Sequence, residues 1–193
     1  MAMVEGAEVV RIDTSFIEEV NARSGQVIQR CYHCHKCTAG CPTAFAMEYG
    51  PDRVLRMVEF GLKDRVLASS DIWICAACET CGTRCPNDIN ILRVMDALRQ
   101  IAVEEGVPSP ERAVATFHPL FLSIVRWQGR MHEATLLGLY KLLSRDLLSD
   151  LGIGLQMILK GKIPLLPDRI RGSQEVRAIF ERAQRREKAA KPK

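Results

Sequence analysis

The chain has 193 residues, 47% hydrophobic and 26% charged, with a formal net charge of +4. This composition suits a globular protein with a modest core, built as one compact domain with extensions or a small domain with a helical appendage. It excludes a membrane-spanning helix: no run approaches ~20 uninterrupted apolar residues, and the best candidate, Leu147 to Leu159, is broken by Asp150 and Gln156 and closed by Lys160.

Residues 1–25 read as a mixed leader. Val20 to Gly25 resembles the end of a short helix, with Gly25 as its stop. No basic region followed by an apolar run and a small-residue cleavage site opens the chain, which places it in the cytoplasm by default. Peripheral association with a membrane stays open.

An internal repeat follows. Cys31-Tyr-His-Cys34-His-Lys-Cys37-Thr-Ala-Gly-Cys41-Pro42 matches Cys75-Ala-Ala-Cys78-Glu-Thr-Cys81-Gly-Thr-Arg-Cys85-Pro86, with every cysteine and both prolines 44 residues apart. Two copies make a duplicated metal-binding unit, not a solenoid.

Between the copies, Pro51 suits the first position of a helix, where its missing N–H costs nothing. Val54, Leu55, Val58 and Leu62 supply the helix's apolar face, and Gly61 is its expected stop. After the second copy, Asp88 or Asn90 can cap a helix. Its buried stripe is Ile91, Leu92, Val94, Met95, Leu98, Ile101 and Ala102, packed against the cysteine loops, and Gly106 ends it.

Pro108-Ser-Pro110 reads as a linker. Beyond it the apolar spacing predicts helices over about 111–127, 133–144, 146–160 and 173–188, punctuated by Gly129, Gly161 and the Pro164 to Pro167 stretch. The end of the chain, from Arg185, is expected to fray. Strand-like alternation is nearly absent. The predicted fold is therefore mainly α: a leader over 1–25, a two-cluster, α-helical ferredoxin-type domain over 26–107, and a helical extension over 108–193.

All eight cysteines fall between Cys31 and Cys85. In a reducing compartment they are metal ligands rather than disulfides. A [4Fe–4S] cubane needs one thiolate on each of four irons. Three cysteines spaced by two residues can wrap three corners, and the fourth, followed by proline, reaches the neighbouring cluster. On this logic Cys31, Cys34, Cys37 and Cys85 hold one cluster, while Cys75, Cys78, Cys81 and Cys41 hold the other. Zinc is the competing reading, but it needs cysteines in pairs, and a doubled C-x2-C-x2-C-x3-C-P pattern leaves a third cysteine at the same spacing.

Two [4Fe–4S] clusters also change the charge. The segment 169–193 is +6, from Arg169, Arg171, Arg177, Arg182, Arg185, Arg186, Lys188, Lys191 and Lys193 against Glu175, Glu181 and Glu187, so the remainder is −2. Eight thiolates around two cores of about +2 each add roughly −4 more to that remainder. The chain is expected to be an acidic metal-bearing body with a basic end. That end lacks the interleaved aromatics of a nucleic-acid arm, so a solvated helix or docking surface is expected instead.

His33 and His35 could be ligands or proton carriers, but four thiolates per cluster suffice, and such side chains more often tune a potential from the surface. His118 and His132 are isolated and are read as structural. Trp73 is expected to shield a cluster from water. No cysteine follows Cys85, and no Gly-rich phosphate loop marks a flavin or nicotinamide site. A relay without substrate chemistry must borrow donor and acceptor from partners.

The sequence resembles the C-type iron–sulfur chain of heterodisulfide reductase and of heterodisulfide-reductase-like complexes. The resemblance rests on the loop 31–42, Pro51-Asp-Arg-Val-Leu-Arg-Met, Asp71-Ile-Trp-Ile-Cys75 and the loop 78–86. It extends to Gly129-Arg-Met-His-Glu, Gly161-Lys-Ile-Pro and Leu166-Pro-Asp-Arg. It implies an electron wire from a flavin-bearing A-type subunit to a cysteine-rich B-type subunit that performs disulfide chemistry, with no catalysis by this chain alone. The alternative is an iron–sulfur subunit of a succinate, glycerol-phosphate or glycolate dehydrogenase. Those usually add a plant-type ferredoxin domain or a fused cysteine-rich domain, and neither is present.

Overall fold

The computed structural model describes residues 14–144, 151–164, 166 and 170–190. Among them the regular structure is helical, with no strand. The first part of the leader, the middle of the apolar stretch before Leu151, Pro167 to Arg169 and the last three residues lie outside the described residues.

The chain divides into two compact units, 1–112 and 113–193. In the first, α1 (Thr14–Ser24) leads to the first cysteine loop and the single turn α2 (Lys36–Ala39). Then come α3 (Pro51–Glu59), α4 (Lys63–Leu67) and α5 (Asp71–Ile74). The second loop carries the single turn α6 (Thr80–Thr83), and α7 (Ile91–Glu104) closes the unit.

The residues expected as a leader supply part of this core. Phe16, Ile17 and Val20 of α1 are buried, and α1 packs on α7 and α3. Val54, Leu55 and Val58 of α3, Val66 and Leu67 of α4, and Ile72 of α5 join them. From α7 come Val94, Leu98, Ile101 and Ala102, one stripe at helical spacing. Each buried Val, Leu, Ile or Phe among these contributes about 1.5–3 kcal/mol through burial.

The helix boundaries follow local chemistry. Pro51 opens α3, and Asn90 caps α7 by accepting a hydrogen bond from the Arg93 amide at 3.1 Å. At the other end of α7, Gly106 takes φ +69°, and the Val107 amide returns to the Ala102 carbonyl at 2.9 Å.

In the second unit, α8 (Arg112–Gln128) and α9 (Glu133–Ser144) meet through Phe117 and Tyr140, whose rings lie edge-to-face at 6.0 Å. His132 caps α9: its Nδ1 faces Thr135 Oγ1 at 2.8 Å and accepts from the Thr135 amide at 3.3 Å. The structural role read for His132 fits this geometry. Then come α10 (Leu151–Leu159) and α11 (Ser173–Ala190). The expected fraying from Arg185 is not seen, since α11 runs on to Ala190. Of the leucines on α9, Leu136 is buried, whereas Leu137, Leu139, Leu142 and Leu143 are exposed.

Candidate metal centre

The two cysteine loops share a backbone that non-glycine residues rarely adopt. His33 and His35 have φ +57° and +61°, and their repeat equivalents Ala77 and Glu79 have +54° and +60°. A side chain in this left-handed region is strained, so its recurrence at matching positions reflects what the loop must do. A left-handed residue on each side of Cys34 and of Cys78 curls the chain and aims successive amides inward.

The sulfurs collect hydrogen-bond donors as a result. The adjoining amides of His33, Thr38 and Gly82 favour the thiolate at Cys31, Cys37 and Cys81. Thr43 Oγ1 lies 3.4 Å from Cys41 Sγ, Thr80 Oγ1 lies 3.4 Å from Cys78 Sγ, and the Ile89 amide donates to Cys85 Sγ at 3.4 Å. In the metal-free chain, burial pushes the Cys37 and Cys81 thiols up to about 11. Burial also raises Cys31, while the Thr80 hydroxyl lowers exposed Cys78. Loading metal must therefore expel protons held tightly at Cys37 and Cys81.

The cysteines line two cavities in a crossed arrangement. Cys31, Cys34 and Cys37 share the first with Cys85, from the second loop. Cys75, Cys78 and Cys81 share the second with Cys41, from the first loop. Among the described residues no three His, Cys, Asp or Glu converge on a single-ion site. Four soft thiol donors lining each cavity fit a cluster.

Ile91 lines both cavities and is itself buried. Leu92 and Met95 back the second and Leu55 the first. Trp73, expected as a shield, is buried but lines neither cavity. Its neighbour Asp71, which no spacing marks as special, ties the loops together. Its carboxylate accepts from the amides of Glu48 at 3.2 Å, Tyr49 at 3.0 Å and Gly50 at 2.6 Å. Arg99 of α7 does similar work, donating to the carbonyls of Ile72 and, at 2.7 Å, Cys75.

His33 and His35 line the first cavity, each paired with a carboxylate of α3. His33 Nε2 lies 3.0 Å from Glu59 Oε2, and His35 Nδ1 lies 2.7 Å from Asp52 Oδ2. Thr38 Oγ1 also donates to Asp52 and accepts from its amide at 3.1 Å. Their second-copy equivalents are Ala77 and Glu79, so the two sites differ around equal sulfur sets.

A duplicated cysteine loop in an all-helical frame, with each fourth cysteine crossed, defines a protein of the two-cluster iron–sulfur class. Residues 17–90 match the family described as 4Fe-4S dicluster domain, and the chain binds two [4Fe–4S] clusters.

The curated relatives are more particular, and each is the C-type component of a reductase. The chain is 32% identical over 107 residues to that component of the H(2):CoB-CoM heterodisulfide,ferredoxin reductase of Methanothermobacter marburgensis, covering 55% of this chain and 58% of that one. It is 46% identical over 79 residues to an iron–sulfur component of the CoB--CoM heterodisulfide reductase of Methanocaldococcus jannaschii, covering 41% and 42%. A third relative belongs to the Ferredoxin:CoB-CoM heterodisulfide reductase of Methanosarcina acetivorans and is 36% identical over 80 residues, covering 42% and 32%. The chain thus spans from about a third to somewhat over half the length of these heterodisulfide reductase components, and over that part it is their homologue.

Proposed function

We propose that this chain is the electron-relay subunit of a heterodisulfide-reductase-like complex in the cytoplasm, and no catalyst by itself. Cys31, Cys34, Cys37 and Cys85 hold one cluster, and Cys75, Cys78, Cys81 and Cys41 hold the other. The partners are a flavin-bearing A-type subunit and a cysteine-rich B-type subunit that performs the disulfide chemistry. Residues 26–107 form the ferredoxin-type domain, helped by α1, and residues 108–193 the docking extension. The names of the relatives support the complex.

The observation that carries the reading is the crossed lining, with Ile91 common to both cavities. When bound, each cluster takes up and gives back one electron at a time. The chain's own part is to hold and tune. Eight thiolates fix the two sites side by side. Inward amides and the hydroxyls of Thr43 and Thr80 stabilise negative sulfur. Ile91, Leu92 and Met95 keep water from the walls. Asp71 and Arg99 hold the second loop against the first loop's exit and α7.

Anaerobic purification of the tagged chain from its host tests this. About eight iron and eight sulfide per chain are expected, together with co-purified flavin-bearing and cysteine-rich subunits. Near-stoichiometric zinc with little iron, or a partner set without either subunit, would overturn the reading.

A further inference from the structure

Outside the first cavity lies a solvent-open cleft lined by Cys31, Tyr32, His33, His35, Asp52, Arg53 and Arg56. Tyr32, His35, Arg53 and Arg56 are exposed there. The carboxylates beside them are turned inward and already engaged. Asp52 is buried and meets Thr38 and His35, while Glu59 meets His33 and, at 3.1 Å, Arg56. Arg53 forms no ion pair with a described residue. The second cavity is lined at the equivalent places by Ala76, Ala77 and Glu79, and no Lys, Arg or His lines it.

This difference comes from Arg53 and Arg56 of α3, beside the first loop, and from His35 standing where the second loop has Glu79. Four thiolates on a core of about +2 leave each loaded site near −2, which repels an acidic surface. At the first mouth Arg53 offsets that charge, while Arg56 is shared with Glu59. In the second cavity Glu79 adds to it. Resting on the relay reading, we propose that the cleft of Tyr32, His35, Arg53 and Arg56 is the port at which an acidic partner protein exchanges electrons with the first site. The occupant is a protein bearing its own redox group, since a small anion would fill the cleft without exchanging an electron. Charge complementarity of this kind sets encounter rate and orientation more than final affinity, and salt weakens it.

The test uses the full, cluster-loaded chain and a small acidic two-cluster ferredoxin as the probe. Binding is read by fluorescence anisotropy and electron exchange by stopped flow, at low and high salt. Arg53→Glu is expected to slow exchange by roughly tenfold at low salt and to flatten the salt dependence, while Arg53→Lys stays near the parent. A paired tail variant, Arg182→Glu with Arg185→Glu, poses the rival site. Loss in the tail variant with Arg53→Glu unaffected would move the acidic partner to α11 and overturn the port. So would exchange that is insensitive to salt in the parent chain. Iron content and the cluster spectrum are measured on every sample: a parent chain without about eight iron would strike the relay reading, on which the port rests.

Discussion

Gly40 and Arg84 hold equivalent places in the two copies of the repeat, and in the fold they lie against each other. A Cβ on Gly40 would sit 2.6 Å from Arg84 Cδ and 2.8 Å from its Nε. The φ of Gly40 is −101°, which any residue adopts, so the demand for glycine there is purely steric. Each residue immediately precedes the cysteine that reaches across to the other cavity, and α2 packs on α6 at this junction. One copy thus supplies a long cation and the other the gap that receives it.

Gly40→Val should therefore displace the exposed, flexible Arg84 side chain at a small cost, under about 1 kcal/mol. Adding Arg84→Ala should return a large part of that loss, because the two changes share one contact. Thermal unfolding of the cluster-loaded chain measures both. Strictly additive losses would show that the contact is incidental.

The crossed ligand sets predict an asymmetric response to single substitutions. Cys85→Ser should damage the cluster nested in Cys31, Cys34 and Cys37, and Cys41→Ser the one nested in Cys75, Cys78 and Cys81. Electron paramagnetic resonance of the two variants distinguishes the signals. If Cys85→Ser altered only the second-loop cluster, each loop would hold its own.

Much of this frame is legible in the sequence. The 44-residue offset exposes the duplicated unit, and Pro51, Asn90 and Gly106 mark helix ends because their chemistry is local. In the second unit α8, α9 and α11 follow their apolar spacing closely, and α10 falls within its expected span, whose residues 146–150 lie outside the described ones. What stays hidden depends on distant parts of the chain. The left-handed backbone at His33, His35, Ala77 and Glu79 runs against residue preference, so only the closed loop reveals it. Asp71 reads as an ordinary helix start until Gly50, 21 residues earlier, is seen to donate to it. The role of α1 in the core and the fit of Arg84 over Gly40 are likewise tertiary. Leu136 and Leu137 look alike in sequence, and only packing sends one inward.

Asp71 gives the largest expected stability effect in the first unit. It is fully buried and accepts from three amides. Asp71→Asn keeps the shape but loses the charge and one acceptor oxygen, which leaves a buried amide unpaired. A loss of about 2–4 kcal/mol follows, read by denaturant unfolding. A loss below about half a kcal/mol would mean that water replaces the missing acceptor.

The cysteines of the metal-free chain should differ in reactivity. The thiolate is the nucleophile, so a raised thiol is slow and a lowered one fast. Cys37 and Cys81, pushed up by burial to about 11, are almost wholly protonated at pH 8, whereas Cys78 is exposed and lowered by Thr80. Alkylation at pH 8 should reach Cys78 first, by on the order of 100-fold over Cys37, and the gap should narrow as pH rises towards 11. Peptide mass spectrometry over time measures this order. Equal rates at all eight positions would show that the loops open when no cluster holds them.

The last prediction concerns what the second unit is for. Among its described residues the buried ones are few, Ile124, His132, Leu136 and Ile163, while the exposed apolar ones are many. On α9 these are Leu137, Leu139, Leu142 and Leu143, and on α10 Ile153, Leu155, Met157, Ile158 and Leu159. An apolar surface on this scale is costly to leave in water and usually marks a partner site. The first unit, by contrast, closes its own core with α1, α3 and α7, and neither cluster cavity is lined by a residue beyond Met95. Truncation after Pro110, which keeps the Val107 amide bond that finishes α7, should therefore leave both clusters assembled. It should also abolish stable association with the cysteine-rich subunit, measured by pull-down. Undiminished capture of the truncated chain would show that the cluster unit docks alone. Loss of iron on truncation would show instead that the second unit helps hold the cluster loops closed.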